Sequence, residues 1–300
     1  LLGASSGMLG TFALLRRRSL MGDVLAHAAL PGICIAFLIT GIKSIGVLMV
    51  GAAATGILAV MSVNGITRYS RIKEDTALGI VLTVFFGLGV VLLTMIARTG
   101  AGNQAGLNHF LFGKAASLTA QDVRIMALCA LIICLLTAYL FHEFKLLCFD
   151  PSFGSGIGRN MRLIDNLLMA LIVGTVIIGL QAVGVVLMAA LLITPAVAAR
   201  FWTNDLKTMT ALSALFGAAS GFIGTWLSTL ASQISTGPVI VLAATLFFVI
   251  SLLVAPGRGV LARYEPLQGW WKHMSSGNRP SESVEPHTEP PLHRLRGNRS

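Results

Sequence analysis

Charge is scarce in this sequence, and negative charge is the scarcest part of it. Only 11% of the 300 residues are Asp, Glu, Lys or Arg, and 12 acidic residues face 22 basic ones. Soluble domains carry about 25% charged residues, so an ordinary water-soluble fold is excluded. The four cysteines, Cys34, Cys129, Cys134 and Cys148, make no Cys-x-x-Cys pair. Three of them fall in or beside apolar runs, where cysteine acts as a small hydrophobe, and no disulfide framework is implied. A phosphate loop is also missing. The stretch GLNHFLFGK (106–114) has the wrong glycine spacing, and Ala115 stands where Ser or Thr would be needed. Neither a His-Glu-x-x-His zinc-protease signature nor a Ser/His/Asp set in plausible segments is present. The chain therefore reads as something other than an enzyme.

What is abundant is apolar sequence: 55% of residues are hydrophobic, and the mean hydropathy is +0.81. Apolar runs near the length that crosses a bilayer recur, at roughly 1–15, 24–41, 44–62, 76–97, 123–141, 164–182, 184–199, 208–230 and 238–255. The two runs flanking Gly184 could equally be one long broken helix. The pattern predicts an all-α, polytopic transmembrane bundle of about eight or nine spans over residues 1–255. Leu1 to Leu15 is short for a span and reads as a truncated first transmembrane helix, not a cleaved signal peptide. Recurrent glycines, among them Gly51/Gly56, Gly87/Gly89 and Gly217/Gly221/Gly224, suit close helix approach in lipid. From Pro256 the composition turns to Pro, Ser, Glu and Arg, which predicts a disordered cytoplasmic tail over 256–300. Trp270 and Trp271 could lie at the membrane interface, and His273, His287 and His293 read as solvated.

Net charge of +10 in so apolar a chain indicates basic cytoplasmic loops and attraction to anionic membrane lipid, with no nucleic acid as partner. Nine alternating spans place Arg16–Arg18, Arg68/Arg71/Lys73, Lys145/Arg159/Arg162 and Arg200/Lys207 on one side. Residues 98–121 predict a re-entrant or interfacial segment on the other side, with His109 a surface histidine. In residues 142–163, Pro151 and the glycines at 154, 156 and 158 break the helical pattern around a short segment and predict a compact, shaped cytoplasmic loop.

Most acids lie in loops, at helix ends or in the tail; Asp23 alone is placed to be carried into the membrane. His27 is the one histidine well inside an apolar run. The two stand four residues apart, hence on one helical face. Pro31 follows by another four and lacks the N–H that the His27 carbonyl would otherwise bond. The bland alternatives are an N-cap role for Asp23 and a satisfied core histidine at His27. Ionisable groups at membrane depth point to function, and carboxylate with imidazole suits divalent metals from Mn²⁺ through Fe²⁺ to Zn²⁺. Two ligands hold a metal poorly; a second chain across a two-fold axis would supply two more. The competing reading is a proton-coupled secondary transporter with Asp23/His27 as the relay. A membrane metalloenzyme is a third, but it lacks a further ligand and a base.

The segments LRRRSLMGDVLAHAALPG (15–32), EDTALGIVLT (74–83), FLFGKAASLT (110–119), FDPSFGSGIG (149–158), LQAVGVVLMAALLITPAVAAR (180–200) and TGPVIVLAA (236–244) together resemble those of one family. It comprises the membrane-spanning permease subunits of bacterial manganese/zinc/iron ABC transporters. The resemblance implies a multi-pass protein of the bacterial cell (inner) membrane. It also implies that the Asp-x-x-x-His pair, here Asp23 and His27, gives metal ligands in a translocation path worked by alternating access. The segment with Asp150, Pro151, Gly154 and Gly158 would couple to an ATPase. Implied partners are ATP-binding subunits, a second permease chain (identical or paralogous) and a metal-binding lipoprotein or periplasmic protein. No permanent cofactor is implied, only the transported ion. The family usually has serine where Ala26 stands, a difference that leaves the ligands in place.

Overall fold

The computed structural model describes residues 1–41, 45–98, 120–230 and 236–255. Apart from its ends at 98 and 120–121, the expected re-entrant segment with His109, and the tail with its Trp pair and three histidines, lie outside the described residues. Eleven described helices follow one another: α1 (Leu2–Leu15), α2 (Met21–Thr40), α3 (Ile45–Tyr69), α4 (Glu74–Arg98), α5 (Ala120–Tyr139), α6 (Phe141–Phe149), α7 (Pro151–Gly156), α8 (Met161–Ala182), α9 (Val185–Trp202), α10 (Leu206–Leu230) and α11 (Thr236–Val254). No strand occurs among the described residues. Seven of these helices, α2–α5, α8, α10 and α11, are long and apolar enough to cross a membrane, whereas α1 and α9 are shorter.

Hydrophobic transfer does not distinguish lipid from a neighbouring helix, so packing must come from close backbone approach. Helix α1 shows how. It is wedged between α9 and α10 with Leu9, Phe12 and Ala13 buried. A methyl group at Gly3 would meet the Gly217 carbonyl at 2.0 Å, one at Gly7 the Ser213 carbonyl at 2.3 Å, and one at Gly10 the Leu192 carbonyl at 1.9 Å. The Ser213 hydroxyl donates to the Gly7 carbonyl at 2.6 Å, tying the same seam. A second seam joins α2 to α3 through Gly32 and Gly51. Gly87 and Gly221 face open space and take no part in such contacts. The expectation of close approach thus holds for only some of the glycines.

The runs around Gly184 are two helices, not one. Gly184 adopts φ 94°, ψ 166°, a conformation side-chain-bearing residues rarely reach, and α9 starts afresh after it. The anticipated loop at 142–163 is mostly helical. Pro151 opens α7 at its first turn, where the missing N–H costs nothing, and does not keep the chain irregular.

The turn between α1 and α2 is a Schellman motif: Arg18 N–H reaches the Ala13 carbonyl and Arg17 N–H reaches the Leu14 carbonyl. The left-handed residue it requires is Arg17, at φ 58°. Arg17 is exposed, while its neighbours Arg16 and Arg18 turn inward.

Candidate functional site

Asp23 and His27 both lie on α2, in its first two turns. His27 Nε2 stands 3.4 Å from Asp23 Oδ1, with the imidazole side chain 19% and the carboxylate 36% exposed. Asp23 is not the N-cap: that position is Leu20, which makes no side-chain cap, so the bland alternative fails. Residue 27 is six positions from the start of α2, about 9 Å along its axis. The pair therefore sits toward the basic end of the bundle. The ring of Phe86, from α4, meets the His27 ring edge-on at 4.9 Å between centroids.

His27 is not a satisfied core histidine either. Its Nδ1 is buried without a hydrogen-bond partner among the described residues. A buried polar atom in that condition costs about 1–3 kcal/mol and calls for an ion, a water or a further protein group to explain it. Among the described residues no group of three or more His, Cys, Asp or Glu side chains is arranged to hold a metal. A single chain thus offers one carboxylate and one imidazole on a partly open face formed by α2 and α4.

The structure adds charged residues that the sequence had left to helix ends and loops. Arg16 Nη2 contacts Asp165 Oδ1 at 2.8 Å, and Arg16 Nη1 donates to the Leu147 carbonyl at 3.3 Å. Arg18 Nη1 lies 3.2 Å from Asp165 Oδ2, and Arg18 Nε is in ion-pair contact with Glu74 Oε1. Of the arginine run, expected as a basic cytoplasmic cluster, two of the three members, Arg16 and Arg18, are engaged in internal ion pairs. Its acidic partners are distant in sequence, but Glu74 lies in EDTALGIVLT, one of the segments already singled out. These contacts also gather the α1–α2 turn, the start of α4, the end of α6 and the start of α8 at one end, as the charge pattern required.

The segment 141–158 hangs from that end. Phe144 and Leu147 of α6 are buried, and Phe12 packs edge-on to Phe144 at 5.4 Å and to Phe141 at 5.8 Å. Asp150 caps α7: its Oδ1 accepts from Phe153 N–H at 2.9 Å and from the Ser152 hydroxyl at 2.6 Å. Those bonds hold its carboxyl below the usual carboxylate range. Gly154 is buried where a methyl group would strike the Met161 side chain, and Gly158 turns the chain toward α8 at φ 81°. Phe149, Phe153 and Ile157 remain exposed. They stand outward from the braced short helix and its flanking residues.

The family model described as the ABC 3 transport family matches residues 1–255. The chain belongs to that family. It is 51% identical over 263 residues to "Manganese transport system membrane protein MntC" of Bacillus subtilis, spanning 88% of this chain and 60% of that relative's length. It is 46% identical over 260 residues to "Zinc transport system membrane protein TroC" of Treponema pallidum, with 87% of each covered. A solved structure of PsaBC from Streptococcus pneumoniae in complex with Fab superposes with TM-score 0.75 at 33% identity, covering 89% of this chain and 91% of that one. This ABC 3 family chain is therefore a membrane permease subunit of an ABC transporter, an integral membrane protein, and ATP is hydrolysed on a separate subunit.

Proposed function

We propose that the chain is the permease of an ATP-driven importer for a divalent transition metal, Mn²⁺, Zn²⁺ or Fe²⁺, and that Asp23 and His27 bind the ion in passage. The single observation that carries this reading is His27: a buried imidazole nitrogen without a partner, beside a carboxylate, on a face left partly open. Carboxylate and imidazole together suit this group of metals. The likeness to manganese and zinc transport proteins supports the same substrate class.

A second permease chain, identical or paralogous, packs against the α2–α4 face in this reading and brings its own pair. Two carboxylates would then balance a dication at a depth where an unbalanced charge is costly. Helices α6 and α7 dock the ATP-binding subunit through the surface around Phe149 and Phe153. A metal-binding lipoprotein or periplasmic protein delivers the ion from outside. Alternating access follows if ATP-driven movement at α7 opens and closes the α2–α4 face.

Asp23→Ala and His27→Ala in the complete transporter test the assignment. Both should abolish metal uptake in a transport-deficient cell while the complex assembles and its ATPase subunit still co-purifies. Normal accumulation by either variant overturns the site. Uptake by the permease alone in liposomes under a pH gradient, without ATPase, would instead favour the proton-coupled mechanism.

A further inference from the structure

The turn between α1 and α2 holds an ion-pair network with no role yet in transport. Arg16 and Arg18 bring two positive charges, and Glu74 and Asp165 two negative ones. Arg18 is 10% exposed at its side chain and Asp165 17%. Charges shielded to this degree demand partners with good geometry, because losing one strands the others. Asp165 is the hub. One oxygen takes Arg16 at 2.8 Å and the other takes Arg18 at 3.2 Å.

The members stand at the roots of the elements that matter most. Arg18 precedes the first residue of α2 by three positions, and Asp23 follows it by five. Glu74 is the first residue of α4, the helix that sets Phe86 against His27. Arg16 also grips the Leu147 carbonyl, three residues before the cap of α7. One cluster thus ties the end of α6, within the docking segment, to the start of both helices that form the face around the pair.

We propose that Arg16, Arg18, Glu74 and Asp165 are positioning residues that form the transmission joint of the transporter. The joint carries displacement of the α6–α7 segment to α2 and α4, and so sets the open or closed state of the face bearing Asp23 and His27. This rests on the docking role assigned above to α6–α7. The physical basis is a continuous chain of short contacts: the Leu147 carbonyl to Arg16, Arg16 to Asp165, Asp165 to Arg18, and Arg18 to Glu74. A planar guanidinium makes two directed bonds at once, so Arg16 links carbonyl and carboxylate in a way that a lysine ammonium, a single point charge, does not.

The test uses the complete transporter reconstituted in liposomes with Mn²⁺ or Zn²⁺ as probe, and reads uptake, ATP hydrolysis and their ratio. Asp165→Asn and Arg16→Lys should each lower ions moved per ATP by roughly 2- to 30-fold, with metal binding to the isolated complex retained. Glu74→Gln, at a more exposed position, is the milder variant and should show the same direction if Asp165→Asn fails to assemble. A purely structural role would reduce the amount of complex recovered and leave ions per ATP unchanged in what does assemble. An unchanged ratio in Arg16→Lys and Glu74→Gln overturns the joint. His27→Ala run alongside separates the two claims. Lost uptake there with wild-type coupling in the joint variants refutes the joint alone, and normal uptake in His27→Ala refutes the site beneath it.

Discussion

Gly217 and Gly221 lie one helical turn apart on α10, and replacing each with alanine should move stability in opposite directions. At Gly217 the added methyl group would sit 2.1 Å from the Gly3 carbonyl oxygen and 2.8 Å from its carbon. Ordinary contact needs about 3.5 Å, so α1 would have to retreat by more than 1 Å on that side. Retreat is costly, because Gly7 and Gly10 lie on the same face as Gly3 and it would also open their approach to the Ser213 and Leu192 carbonyls and stretch the 2.6 Å bond from the Ser213 hydroxyl to the Gly7 carbonyl. Overpacking of this kind costs about 1–3 kcal/mol, more than the 0.5–1 kcal/mol, roughly, that alanine gains over glycine inside a helix. At Gly221 no atom lies within 4 Å of the new methyl group, so only the helix-propensity gain remains. Thermal unfolding of the full chain in detergent, followed by tryptophan fluorescence, reads the difference. Gly217→Ala should melt several degrees below wild type, on a scale of about 2–4 °C per kcal/mol, and Gly221→Ala at or slightly above it. Equal shifts for both, or a Gly217→Ala protein as stable as wild type, would refute the reasoning about seams.

Three further outcomes follow from the site. Asp150→Ala should weaken co-purification of the ATPase subunit by removing the cap of α7, whereas Asp150→Asn, an equally good capping residue, should keep it. Because the folded Asp150 carboxyl is held below its ordinary range, the cap's contribution is present at neutral pH. It fades only as pH falls beneath the usual carboxylate value toward the depressed one, which a pull-down across acidic pH would reveal. Burial, opposed by nearby Arg16 and reinforced by Asp165, pushes the Cys148 thiol up to about 11. With the other three cysteines replaced by serine, its alkylation should be slow at neutral pH and accelerate about tenfold per pH unit toward that value. Asp165→Asn should speed it; no acceleration would contradict the placement of that carboxylate. Finally, if a tagged copy of the chain co-purifies with an untagged one, equal mixing of wild-type and His27→Ala copies should leave about a quarter of full uptake, since random pairing makes both halves intact that often. About half would mean that each chain carries ions alone.

The helices were legible because each rests on a run of local composition. The nine apolar stretches became α1–α5 and α8–α11, with ends displaced by at most three residues except at α3, which runs seven residues past the expected end to Tyr69. Breaks were harder. The sequence around Gly184 left one helix or two open, since only the backbone angle of that glycine decides it. Pro151 was read as a helix breaker and proved a helix starter, because proline's effect depends on whether its absent N–H lies within the first turn. Asp23 and His27 stood out through isolation: one acid and one imidazole in an apolar stretch. Phe86 could not, since an aromatic in an apolar helix looks like any other until the neighbouring helix is placed. Asp165 and Glu74 were invisible as partners of the arginines, because their pairing spans 149 residues for Arg16 and Asp165 and leaves no periodic trace.

That distinction bears on how the transporter works. In the proposed mechanism, features written locally, the apolar spans and the Asp-x-x-x-His pair, define a conduit and what it accepts. Features formed only by tertiary closure, the arginine–carboxylate network and the Phe12 contacts with α6, connect the parts that this mechanism moves together. A site built from two ligands per chain suits such movement. Each half binds a dication weakly by itself, so separating the halves by a small displacement releases the ion without any bond having to be broken by chemistry. A complete ligand set within one chain would travel with its helix and keep its grip in both states. On the proposed reading the partly open pair on α2 and the compact network at the base of the same helix are complementary: weak, divided binding needs a stiff link to the ATPase, and the proposed link begins five residues from the acid it would move.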